Sequence, residues 1–205
     1  MNQADWCKLM ESVGFTENET TYKKLVKAYS EKHRGYHNSS HINAVLTEFS
    51  EVTDLADDAT AIELALWFHD AIYKIRSTIN EKESADWAAK FIRENSGTVE
   101  FSKVVHSLIM ATEHNFLPMK NDEKIIVDVD LSILGSPEEK YWEFEENIRK
   151  EYKIIPWFIY RKKRIALLEY FLNRDHIYSH EYFREKYQVQ ARENLTKAID
   201  KLQLS

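Results

Sequence analysis

Glycine and proline are scarce in this chain, with 4 and 3 in 205 residues. Tight turns draw on both, so few hairpins are expected and a mostly helical protein is the natural reading. Cysteine occurs once, at Cys7. That excludes an intrachain disulfide and fits a reducing compartment. No apolar run approaches the length of about 18 residues that a membrane-crossing helix needs. The opening MNQADWCKLMES is polar and amphipathic, without an apolar leader stretch, so a soluble cytoplasmic protein with no membrane partner is expected. An excess of positive charge is also missing. The 28 Lys and Arg are outnumbered by 34 Asp and Glu, and the two signs are interspersed, which argues against a nucleic-acid partner. Internal repeats, low-complexity stretches and linkers are lacking, so a single domain over residues 1–205 is expected.

What the chain does have is apolar material, 43% of its residues, with 13% aromatic. A sizeable core is within reach. Trp6, Leu9, Met10 and Val13 follow the i, i+3, i+4, i+7 pattern and stop at Gly14; Tyr22, Leu25, Val26 and Tyr29 repeat it. Gly35 breaks the pattern, and Ser39 or Ser40 is placed to cap a helix carrying Ile42, Val45, Leu46 and Phe49 on one face. Residues 61–73 are apolar almost all round, as in a buried central helix. Further helices are expected near 81–94 and 99–114, then over 125–134, and two or three more after the turn at Gly135 and Pro137. The total is nine or ten helices in an all-α bundle.

The chemistry lies in eight histidines and a few carboxylates set in apolar surroundings. His37 and His41 are four apart, a spacing that lets two imidazoles on one helix face reach one ion. His69-Asp70 sits in WFHDAIY, where nothing solvates an imidazole beside a carboxylate. It is either a buried pair that serves packing or half of a metal site; an unsatisfied buried pair is costly. Asp128 and Asp130 lie in IIVDVDLSIL, where alternate spacing on a helix turns one inward and the other outward. His106 and His114 fall eight apart, nearly on one face of the 99–114 helix. Imidazole with carboxylate suits Mn, Fe, Co, Ni, Zn or Mg.

Taken in order, His41, His69-Asp70 and Asp130 resemble the ligand set of the HD superfamily of metal-dependent phosphohydrolases: a lone His, a His-Asp pair, then a distant Asp, all on helices. The ordered segments RGYHNSSHI, WFHDAIY, NEKESA, DVDLSILG and ARENL are similar to an uncharacterised bacterial group of predicted HD phosphohydrolases, from about residue 30 to 196. The resemblance implies a motif-bearing part over about 30–135 with the helices of 137–203 packed on it. It also implies a divalent metal held by His41, His69, Asp70 and Asp130. Asp130 fits the family's last position better than Asp128, although Val129 stands where Ala is usual. The implied reaction is hydrolysis of a small phosphate ester or nucleotide by metal-activated water. Arg34 is then a candidate phosphate fork, His37 a proton donor or phosphate-orienting group, and Asn38 its orienting neighbour. Glu81 or Glu83 becomes a base behind the metal ligands or a ligand of a second metal, Lys74 a phosphate contact, and His114 with His37 a possible pair for a second ion. No Glu-Asp follows the pair and no GYP motif is present, so stringent-response nucleotides and cyclic dinucleotides are disfavoured.

Two rivals use the same residues. A two-iron oxygenase needs extra histidines between the pair and the last Asp, and His106 and His114 are available. A binding module without turnover keeps the pocket alone. The basic cluster Arg161 to Arg164 beside an apolar helix is a dimer face, a pocket rim or a solvated face.

Overall fold

The computed structural model describes residues 1–16 and 18–204. Among them are ten α-helices and no strand: α1 Gln3–Ser12, α2 Glu19–Tyr29, α3 Ser39–Ser50, α4 Ala59–Phe68, α5 Asn80–Glu94, α6 Val99–Ala111, α7 Asn121–Asp130, α8 Glu138–Glu151, α9 Trp157–Leu172 and α10 Glu181–Gln203. Short 3-10 turns occupy Thr53–Leu55 and Leu131–Gly135. The all-α reading holds. None of the described helices is long and apolar enough to cross a membrane. By contact the chain forms two compact units, Met1–Val129 and Asp130–Ser205. RGYHNSSHI, WFHDAIY and NEKESA fall in the first, ARENL and most of DVDLSILG in the second.

In the first unit α4 is the centre. Asp58 caps it, its carboxylate accepting from Ala61 N at 2.9 Å. Seven of its ten residues are buried, including the run from Leu64 to Phe68. A helix apolar all round has no solvent face to offer, so neighbours enclose it. Trp6 of α1 meets Trp67 edge-on at 5.3 Å between ring centroids, and Phe68 packs on Phe91 of α5 at 5.4 Å. Each fully buried aromatic of this kind contributes about 1.5–3 kcal/mol of transfer energy. The expected helix over 61–73 is shorter than its apolar run. It ends at Phe68, and the chain turns through His69 to Tyr73. The run stays apolar because the turn is buried too: Ala71 is 1% exposed.

In the second unit the 3-10 turn packs on α10. Asn194 of α10 donates through Nδ2 to the carbonyls of Leu134 and Ser136 at 2.8 and 2.9 Å. A Cβ on Gly135 would come within 2.9 Å of the Tyr187 main chain, so only glycine admits this approach. The expected basic cluster on α9 divides. Arg164 is buried and grips Glu145 of α8 through Nε at 3.1 Å and Nη2 at 2.6 Å, while Lys162 and Lys163 are exposed.

Candidate metal centre

The centre is built on α3, the end of α4 and the end of α7. The cap of α3 is Asn38, not Ser39 or Ser40: its Oδ1 accepts from Ser40 N at 2.8 Å, and its Nδ2 donates to the Gly35 carbonyl at 3.0 Å. The amide accepts and donates through two separate atoms and so spans both sides of the turn, where a serine has one oxygen. The cap starts the helix so that His41, in its first turn, points inward, 4% exposed. Asn38 is thereby part of the scaffold and not an orienting group for substrate.

His69 caps the end of α4 and is 2% exposed. Its Nδ1 lies 2.9 Å from the Leu66 carbonyl. A carbonyl only accepts, so Nδ1 carries a proton, and in the neutral ring Nε2 is the nitrogen that offers a lone pair. That nitrogen lies 3.1 Å from His41 Nε2 and 3.1 Å from Asp70 Oδ2; His41 Nε2 is 3.3 Å from the same oxygen. Donors about 2.0–2.2 Å from one ion, at octahedral or tetrahedral angles, stand about 2.9–3.5 Å apart. The three distances fall in that range. A ligating imidazole held by a carbonyl through its other nitrogen is also the usual arrangement at metals.

Asp130 closes α7, a ten-residue helix of which every other residue lies in the first unit. His41, His69 and Asp130 each offer a ligand atom, and these atoms all lie within 4.8 Å of one another. This cluster can hold a metal ion. Asp128, two residues earlier, is fully buried and is not part of it. Burial alone would raise the Asp70 carboxyl; when His69 and His37 are protonated, their charges and the hydrogen bonds from His41 and His69 outweigh it and hold the group well below the usual carboxylate range.

Around this cluster the other expected site residues separate. The His37 ring stacks on Tyr73 at 4.2 Å and lies 5.8 Å from the His41 ring. It stands before the α3 cap, so the two histidines meet without sharing a helix. Glu81, in the first turn of α5, is half-buried; desolvation raises its carboxyl, and Asp70 and Glu113 add to the rise while His114 opposes it. His114 is not on the face of α6. That helix ends at Ala111, where Thr112 Oγ1 folds back to the Ile109 carbonyl at 2.7 Å, and His114 takes a left-handed φ of 59°. His106 pairs with Asp86 at 3.3 Å on the outer side of α5. Lys74 is exposed and bonds both Glu83 oxygens at 2.8 and 2.7 Å.

Arg34 is the main correction. Expected as a phosphate fork, its side chain is 1% exposed and committed to the chain itself. Nε donates to Glu31 at 2.9 Å, Nη1 to the carbonyls of His37 and Asp70 at 3.0 and 2.6 Å, and Nη2 to the Ala71 carbonyl at 3.1 Å. Sequence reading also passed over Asn80 and Ser84 of α5, which hold the turn after Asp70. Asn80 pairs both ways with the Lys74 main chain at 3.0 and 3.1 Å, and Ser84 Oγ accepts from Ile72 N at 3.0 Å. In NEKES the acids are the conspicuous residues, and nothing marks the Asn and Ser beside them. No protein-family model, curated protein or solved structure matches the chain.

Proposed function

We propose that the chain is a metal-dependent phosphohydrolase acting on a small phosphate ester or nucleotide. One observation carries the reading: the Nε2 nitrogens of His69 and His41 and the Asp70 oxygen stand at the mutual distances that ligands of one ion keep, with an Asp130 oxygen within 4.8 Å of ligand atoms of the two histidines. His41, His69, Asp70 and Asp130 would hold a divalent ion of the Mn, Fe, Co, Ni, Zn or Mg kind. Such an ion, when bound, lowers the pKa of a water and draws charge from a phosphoryl oxygen. The chain supplies the rest. The Leu66 carbonyl keeps the His69 lone pair aimed inward. His37, steadied by Tyr73 and 5.8 Å from the His41 ring, serves to hold a phosphate oxygen or pass a proton to the leaving group. Glu81, made more basic than an ordinary carboxylate by burial, is suited to accept a proton from the water.

The two-iron reading loses one of its two histidines, because His106 is turned to Asp86. The test is a panel of phosphate monoesters and nucleotides, incubated with purified protein and each divalent metal in turn. Turnover is expected, and His69→Ala or Asp70→Ala should lower it by about a hundredfold or more with helical circular dichroism retained. Full activity in Asp70→Ala would sink the mechanism. Metal bound without turnover anywhere on the panel would make the chain a binding module instead.

A further inference from the structure

A helix end leaves its last carbonyls without partners in the helix. At α4 these carbonyls, and those of the turn after it, lie directly under the candidate ligands. Two are met from within: Ala71 N donates to Phe68, and His69 Nδ1 to Leu66. Most of the others are met by side chains of one upstream segment. Tyr29 Oη donates to the Trp67 carbonyl at 3.0 Å, Arg34 to those of Asp70 and Ala71, and His33 Nε2 lies 3.0 Å from that of Tyr73. Arg34 also takes the His37 carbonyl, on the approach to α3. One planar cation therefore joins the segment that delivers His41 to the turn that delivers His69 and Asp70. It cannot drift, because its guanidinium lies over the rings of Tyr29 at 5.2 Å and Tyr73 at 5.6 Å, and Glu31 fixes the remaining edge.

We infer that Arg34, with Tyr29 and His33, is a positioning clamp that sets the His41–His69–Asp70 spacing and so the metal affinity of the centre. This rests on the proposed metal reading. A cation at the negative end of α4 also suits the helix dipole. A lysine would keep the charge and lose the fork, because a single ammonium cannot reach three carbonyls and a carboxylate from two sides.

The experiment titrates the purified chain with Co(II), following the visible ligand-field bands and measuring affinity by chelator competition, with far-ultraviolet circular dichroism as the folding control. The native chain is expected to bind one ion in the cluster. Arg34→Gln should bind about 10–100-fold more weakly, the usual loss when a group supporting a ligand is removed, with a changed band envelope and helical content kept. Arg34→Lys should recover only part of the affinity. Native affinity and spectrum in folded Arg34→Gln would overturn the clamp. Should Arg34→Gln fail to fold, Tyr29→Phe carries the test. It removes only the hydroxyl that holds the Trp67 carbonyl and should weaken Co(II) binding about fivefold; unchanged binding there overturns the clamp too. If the native chain binds no Co(II) in the cluster, it is the metal reading that fails, which is a different result.

Discussion

The two aspartates of α7 illustrate how position decides role at the scale of one residue. They share a residue type and stand two apart, yet Asp130 is half-exposed beside His41 and His69 while Asp128 is fully buried. Truncating them should separate metal binding from folding. Asp130→Ala is expected to weaken metal binding at least tenfold with little change in the urea midpoint. Asp128→Ala should lower folding stability by about 3 kcal/mol, the cost of stripping a carboxylate from groups that have given up water to meet it. Denaturation curves and metal titration of both variants check this. The reverse pattern would move the ligand role to Asp128. The sequence suggested Asp130 by family pattern alone; the choice between inward directions is made by where α7 lies.

At the scale of elements, α7 is moored from its first turn. Asp122 accepts from the main-chain N–H groups of Asp57 and Asp58 at 2.7 and 3.0 Å, and Asn121 Nδ2 donates to the Leu55 carbonyl at 2.8 Å. The same Asp58 caps α4. The starts of the helix bearing Asp130 and the helix ending at His69 are thus tied together about 12 Å of helix rise away from the ligands. Asp122→Ala is expected to cost about 1–3 kcal/mol through two lost donors' partner, and urea unfolding measures it. A change under 0.5 kcal/mol, the ordinary scatter of about ±0.5 kcal/mol for surface substitutions, would mean that the mooring does not matter. Aromatic packing is the larger matter for α4: Trp67→Ala should remove about 3–5 kcal/mol and leave the unit poorly folded.

For the molecule as a whole, the two compact units hold themselves together differently. The first is an aromatic core around α4. The second contains a buried polar group: Glu145 takes both the Arg164 fork and the Tyr141 hydroxyl, the latter at 2.9 Å. Burial raises the Tyr160 phenol to about 12, with Glu145 adding to the rise and Arg164 and Arg149 opposing it; Tyr141 is raised further, for burial and Glu145 again. A phenol raised on folding is held protonated by the fold. Its stabilisation is complete below the ordinary value of 10.0 and is lost as pH climbs to about 12. The second unit is expected to weaken over that window. Phenolate absorbance should appear together with loss of helical signal, and Tyr160→Phe should remove part of the pH dependence. Ionisation of all tyrosines near pH 10 with helix intact would refute it.

By itself the sequence determined the helical class, because scarce glycine and proline and a 3.6-residue apolar period leave few other ways to bury so much apolar surface. It also marked His69 and Asp70, because ionisable groups inside an apolar run are conspicuous wherever the chain goes, while His41 and Asp130 joined them only through the ordered resemblance to a known ligand set. What it could not determine were roles filled by the main chain. Arg34 reads as a free phosphate fork because its partners are carbonyls, which every residue has and no sequence marks. His114 reads as helical because its local pattern continues past Ala111, while Thr112 and a left-handed turn end the helix. Only the tertiary structure brought the carbonyls at the end of α4 against residues 29–34, and that meeting decides which cation holds the site together.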